Sequence, residues 1–196
     1  MPVPEREGPP PAGGMDTVRW HALAAARLRV PPVWQGVLFP AGSLTARLRA
    51  RCGAGFTVQV LAETPRRLRR REAAAMRLPV GAPVRWREVY LCCDGQPVVY
   101  ACSLLPRAAL RGPWCDLTHL GSRPLGELLF TRRGVRRGPL DIGCIRPGAP
   151  LHRAMSRGLA VPPGALWGRR SMFRLPDAPV VVCEFFLPLA LDILHA

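Results

Sequence analysis

The chain has 196 residues, 28 basic side chains against 13 acidic ones, a formal net charge of +15 and 48% hydrophobic residues. That is the size of about one ordinary domain with enough apolar surface for a core, and it excludes a chain too polar to collapse. Every one of the 28 cations is arginine and lysine is absent, so pyridoxal-phosphate enzymes, lysine-dependent aldolases and ordinary P-loop nucleotide hydrolases are excluded.

Residues 1–14 hold five prolines and three glycines with little to bury and are expected to form a disordered leader to a single domain over 15–196. An alanine- and arginine-rich stretch predicts a helix over 17–28, closed by Pro31 and Pro32. A second helix follows Ser43 as N-cap and ends at Gly53. From Phe56 the apolar period becomes two, which predicts a strand, and PRRLRRR (65–71) then reads as a solvated basic connection before a helical turn near Glu72. The runs VRWREVYLCC and QPVVYACSLL flank Asp94-Gly95, the turn pair that best tolerates positive φ at both central positions, and predict a hairpin. An unbroken ladder from that turn sets Arg87 opposite Cys102 and Glu88 opposite Ala101. Leu125 opens a short helix after Pro124, and 131–163, rich in arginine, glycine and proline, reads as a long loop excursion. A second hairpin turns at Pro176-Asp177-Ala178 and sets Glu184 across from Arg170 or Ser171, its register uncertain by a residue. Antiparallel hairpins flanked by helices make the fold class α+β.

Two charged residues stand out from their surroundings. Glu184 sits in VVVCEFFLP, where a carboxylate must be protonated or met by a cation, with Arg169 and Arg170 as its cross-strand candidates. Arg87 lies in a strand that otherwise packs, and a guanidinium there suits a planar carboxylate because it donates two parallel hydrogen bonds. On local pattern alone, a structural ion pair at Glu184 and a solvent-facing Arg87 remain open. Seven cysteines form no CxxC pair and four histidines are scattered, so no metal site is expected, and an odd number of thiols in apolar runs suits a reducing cytoplasm. No run of 18 apolar residues occurs. Lysine and asparagine are both missing and isoleucine is scarce, as GC-rich coding produces. The charge therefore gives little ground for a nucleic-acid partner, and a positive field equally concentrates small dianions.

AGSLTARL (41–48), WREVYLCCDGQPVVYACSLLP (86–106), LGSRPLGELLF (120–130), WGRRSMF (167–173) and PVVVCEFFLP (179–188) together resemble the chorismate pyruvate-lyase family in order and wording, over 34–188. The resemblance implies an antiparallel sheet of about six strands around a small ligand cavity, and a cofactor-independent, metal-free cleavage of chorismate into 4-hydroxybenzoate and pyruvate for ubiquinone biosynthesis. It implies a monomer, and product contacts at Leu44, Arg87, Leu125 and Glu184, with Arg87 on the ring carboxylate and Glu184 on the ring hydroxyl; the cysteine usage and an N-terminus unlike a signal peptide make the expected location cytoplasmic. The chain departs from the family at Cys102, where arginine is usual; Arg85, Arg169 and Arg170 are the candidates to replace it. The alternative is a non-catalytic aromatic-carboxylate-binding domain of the same fold, as in some transcription regulators, although the residues before Phe56 are too few and too proline-rich for a winged-helix reader.

Overall fold

A computed structural model describes residues 14–157, 159 and 163–195, so the expected leader lies, apart from Gly14, outside the described residues. In chain order the elements are β1 (Arg19–Ala22), α1 (Leu23–Ala26), α2 (Pro32–Leu38), α3 (Leu44–Cys52), β2 (Phe56–Arg67), α4 (Arg70–Met76), β3 (Pro83–Cys93) and β4 (Gln96–Pro106). There follow α5 (Arg107–Leu110), α6 (Leu125–Thr131), β5 (Arg136–Arg137), β6 (Asp141–Ile145), α7 (Pro150–Met155), β7 (Leu166–Leu175), β8 (Ala178–Phe186) and α8 (Leu189–His195). The class is α+β, with one antiparallel sheet of eight strands in the order β1-β6-β7-β8-β4-β3-β2 and β5 added beside β7. The family-based expectation of about six strands undercounts it, because β1 and β5 are short and neither has a strand signature of its own.

The helix expected over 17–28 is instead β1 followed by the single turn α1. Tertiary pairing overrides helical propensity here: Trp20 pairs with Gly143 of β6, where any Cβ would meet Val18 at 2.6 Å and Trp20 at 3.0 Å. The 131–163 excursion is likewise more ordered than expected, since it contains β5, β6 and α7. The helix at Ser43 forms as its cap predicts, with Ser43 Oγ accepting from the Ala46 N–H at 3.2 Å. No helix among the described residues is long and apolar enough to cross a membrane.

Both hairpins form, and both registers differ by one residue from a simple count. In the first, Asp94 and Gly95 have φ of 48° and 76°, as the turn requires. A bulge then shifts the ladder between Leu91 and Cys92, so that Arg87 pairs with Ser103 and Glu88 with Cys102. In the second, the strands close onto Leu175 and Ala178 around two residues, which sets Glu184 opposite Arg169. Because side chains alternate, a one-residue slip exchanges the sheet faces. Cys102, expected beside Arg87, consequently lies on the other face in a core with Trp86, Tyr100, Cys183 and Phe185. Burial first, and then its hydrogen-bonded neighbour Cys183, hold its thiol well above the usual range. The cysteine pattern reads as reduced thiols, but Cys52 and Cys93 form a disulfide tying the end of α3 to β3.

The opposite face carries two further apolar clusters. One joins Val89, Leu91, Val99 and Phe186 to α2, α3 and α8; the other joins Leu105, Phe173 and Val180 to α5, Trp114 and α6. The seam between them is where the sheet is left incompletely covered.

Gly168 fixes how closely β7 and β8 approach, since a Cβ there would lie 2.5 Å from the Phe185 ring and 2.9 Å from the Glu184 carbonyl. Gly168→Ala is expected to destabilise the protein by about 1–3 kcal/mol through overpacking, read as a lower urea midpoint. Gly164→Ala, whose Cβ meets nothing within 4 Å, should leave the midpoint unchanged.

Candidate functional site

The seam holds a narrow cavity of ≈ 40 Å³, several times the roughly 10–15 Å³ that one water needs. Its floor is the sheet, through Arg87, Val89, Ala101, Ser103, Val182 and Glu184. Its roof comes from two covering segments: Thr45 on α3, and Pro124 with Leu125, Gly126 and Leu129 of α6. The two segments meet closely, because a Cβ on Gly126 would lie 2.8 Å from Thr45 Oγ1.

The ladder places the charged groups. One row of facing residues across the sheet reads Arg169, Glu184, Ala101, Val89, and the adjacent row on the same face reads Ser171, Val182, Ser103, Arg87. Glu184 and Arg87 are therefore two strands and two residues apart, a Cα separation of roughly 12 Å from the usual strand spacing and rise, with both side chains entering the cavity from one face.

Each of these residues already has an opposite charge. Arg87, 2% exposed, pairs through Nη1 with the Glu63 carboxylate on β2. Its Nη2 donates to the carbonyls of Gly121 at 2.7 Å and Arg123 at 3.4 Å. Arg169, 1% exposed, donates Nε to Glu184 Oε2 at 2.6 Å and Nη1 to the Pro40 carbonyl at 2.7 Å. The structural partner for Glu184 is therefore Arg169, which lies outside the cavity lining and fixes the carboxylate that lines it. Arg170 points to the other face, where it holds Asp141 at 2.6 Å and lies over Trp20.

Of the four expected contact residues, Arg87, Leu125 and Glu184 line the cavity. Leu44 does not present its side chain there: it is buried among Leu38, Leu48 and Val89, and its neighbour Thr45 faces the cavity instead. Of the guanidiniums considered as replacements at Cys102, Arg85 donates to the Thr118 carbonyl at 3.0 Å and lies 3.7 Å from the Glu63 carboxylate, while Arg169 and Arg170 are engaged as above. Sequence reasoning missed Arg137, which lines the cavity with Ser171, Phe130 and Phe173. It lies in the arginine-rich stretch that reads as a loop, and only its two-residue pairing with β7 brings it to the site. Burial chiefly, and repulsion from Arg169 next, lower its pKa, against the favourable field of Glu184.

The chorismate lyase family model matches residues 15–192. A protein of Aromatoleum aromaticum named probable chorismate pyruvate-lyase is 44% identical over 171 residues, covering 85% of this chain and 91% of the relative. Proteins of the same name from Azoarcus sp. and Nitrosospira multiformis are 45% and 37% identical, over 77% and 89% of this chain and 82% and 95% of theirs. Among solved structures, the effector domain of PhnF from Mycobacterium smegmatis superposes with a TM-score of 0.53 at 20% identity, covering 77% of this chain and 91% of that one. The ligand-binding domain of a GntR-family regulator from Bordetella bronchiseptica gives 0.50 at 22%, covering 68% and 86%. At those identities the likeness is one of fold.

Breaking a buried ion pair strands its partner and costs about 3–5 kcal/mol. Arg169→Met should fall near the low end, about 3 kcal/mol, because the Glu184 side chain keeps 16% of its exposure. Arg169→Met with Glu184→Gln should recover part of that loss, giving a coupling of at least about 1 kcal/mol by urea denaturation. Strictly additive losses would show that the two charges do not depend on each other.

Proposed function

The chain belongs to the chorismate lyase family, and from that premise we propose that it is a chorismate pyruvate-lyase, a carbon–oxygen lyase that converts chorismate to 4-hydroxybenzoate and pyruvate without cofactor or metal. The observation that carries this reading is the placement of Arg87 and Glu184 at separate points of one narrow cavity on one sheet face. That spacing suits a flat ring with a carboxylate at one end and a hydroxyl at the other.

Arg87 receives the ring carboxylate as a bidentate partner, in exchange for Glu63. Glu184, fixed by Arg169, accepts a hydrogen bond from the ring hydroxyl and so orients the ring for departure of the enolpyruvyl group. In the step itself the ether bond between ring carbon and enolpyruvyl oxygen breaks, and the hydroxyl-bearing ring carbon loses its hydrogen as a proton. The ring becomes aromatic, and the released enol takes up a proton at its methylene carbon to become pyruvate, so there is no net redox change. Aromatisation supplies the driving force. What remains for the protein is to hold the reactive conformer and keep water out, which are the tasks of the apolar walls and the two covering segments. Leu125 contributes an apolar wall at the start of α6, and Leu44 supports the other segment from beneath.

In this reading the protein is a cytoplasmic monomer that acts on a small molecule, has no nucleic-acid partner and supplies 4-hydroxybenzoate for ubiquinone. The fold shared with regulator effector domains supports one second reading, a domain that binds an aromatic carboxylate without turning it over.

Purified protein incubated with chorismate, with no added metal or cofactor, should yield 4-hydroxybenzoate and pyruvate in equal amounts by chromatography. Arg87→Ala should abolish the reaction, and Glu184→Gln should remain folded with most activity lost. Chorismate that survives alongside tight binding of 4-hydroxybenzoate would favour the second reading, and full activity of Glu184→Gln would remove that residue from the mechanism.

A further inference from the structure

Of the two guanidiniums that line the cavity, Arg87 is balanced by a carboxylate and, among the described residues, Arg137 is not. Arg87 has Glu63, and Arg169 has Glu184. Arg137 makes no salt bridge among the described residues. Its Nε and Nη2 donate to the Ser171 hydroxyl at 3.1 and 2.7 Å, and its Nη1 donates to the Ala41 carbonyl. Its guanidinium lies over Phe130 and Phe173, 5.1 and 5.6 Å from the ring centroids. A half-buried cation held by neutral acceptors and aromatic faces is poorly compensated, and the missing compensation is that of an anion.

Its position along the sheet says which anion. Arg87 stands on β3, Glu184 on β8, and Ser171, which orients Arg137, on β7; β8 lies between the other two in the sheet. Ser171 shares a row with Arg87 whereas Glu184 stands in the adjacent row, so the second cation is held to the side of the line that runs from Arg87 to Glu184. Chorismate carries its second carboxylate in a matching place, on the enolpyruvyl ether of the ring carbon beside the hydroxyl-bearing one, to the side of the axis that joins ring carboxylate and hydroxyl.

We infer that Arg137, oriented by Ser171, forms the subsite for the second carboxylate of the dianionic substrate, and that it distinguishes chorismate from the monoanionic product. The inference rests on the lyase reading for the identity of the ligand. Arg137 thus does what the guanidinium expected at position 102 cannot do, since Cys102 lies on the opposite face of the sheet. Release follows from the same arrangement: once pyruvate departs, the remaining aromatic product no longer engages Arg137.

The test compares Arg137→Gln and Arg137→Lys with the wild type, using chorismate kinetics together with dissociation constants for chorismate and 4-hydroxybenzoate by calorimetry. Arg137→Gln should raise the KM for chorismate by at least about tenfold, the scale of one charge-assisted contact. Arg137→Lys should restore part of that loss, and the dissociation constant for 4-hydroxybenzoate should move by no more than about twofold in either variant. Equal weakening of both ligands would reduce Arg137 to a latch for the Ala41 segment and overturn the inference, as would an unchanged KM. Should Arg137→Gln fail to fold, Ser171→Ala keeps the charge and loosens its aim; a selective rise in KM for chorismate supports the subsite, and parallel change in both ligands rejects it. A wild type that binds chorismate without cleaving it would refute the lyase reading alone, and the relative affinities of the two ligands in Arg137→Gln would still decide the subsite.

Discussion

Buried guanidiniums hold the cavity together, because each one anchored on the sheet also reaches a main-chain carbonyl of a segment that covers it. Arg87 ties Glu63 to the carbonyls of Gly121 and Arg123, ahead of α6. Arg169 ties Glu184 to the Pro40 carbonyl, and Arg137 ties Ser171 to the Ala41 carbonyl, both ahead of α3. Arginine suits this double duty because its planar fork donates in several fixed directions at once and stays charged when buried. The groups that meet a ligand are thus the groups that position the roof, so binding and closure draw on the same hydrogen bonds. Buried pairs of this kind contribute little net stability; what they contribute here is a defined geometry in an otherwise apolar seam.

Part of this was readable in the amino-acid order. Asp94-Gly95 announces a hairpin because few residue pairs accept two positive φ angles in succession, and Glu184 announces a partner because an unpaired carboxylate cannot stay in VVVCEFFLP. The class of fold and the helix capped by Ser43 follow from such local requirements, whereas for Arg87 the local pattern left a solvent-facing side chain open and only the family resemblance pointed to a ligand site. What did not follow depends on tertiary pairing. The bulge beyond Leu91 and the two-residue turn after Leu175 each move the ladder by one position, and in a sheet one position separates the cavity face from the opposite core. That is why Cys102 could be set beside Arg87 on paper, and why Arg169, rather than Arg170 or Ser171, stands across from Glu184. The strands β1, β5 and β6 are short and take their conformation from their neighbours, so Arg137 carried no signal in a stretch that reads as an arginine-rich loop.

The departure at Cys102 also changes meaning in the folded chain. Counted along an unbroken hairpin, it removes a cation from the ligand site; in the observed register it places a buried thiol in a core with Cys183 and Phe185. At the site Arg87 pairs with Glu63, which Arg85 also approaches at 3.7 Å, and Arg169 pairs with Glu184. Arg137 has no carboxylate partner among the described residues, in a cavity whose proposed substrate carries two negative charges.

In the proposed function this cavity holds a para-substituted benzoate end to end between Arg87 and Glu184. The most direct measurement is a crystal structure of the protein with 4-hydroxybenzoate. The ring should lie across Val89, Ala101 and Val182, its carboxylate on Arg87 with Glu63 displaced from that guanidinium, and its hydroxyl on Glu184. A ring bound in the reverse sense, or one seated on the other face of the sheet near Cys102, would contradict it.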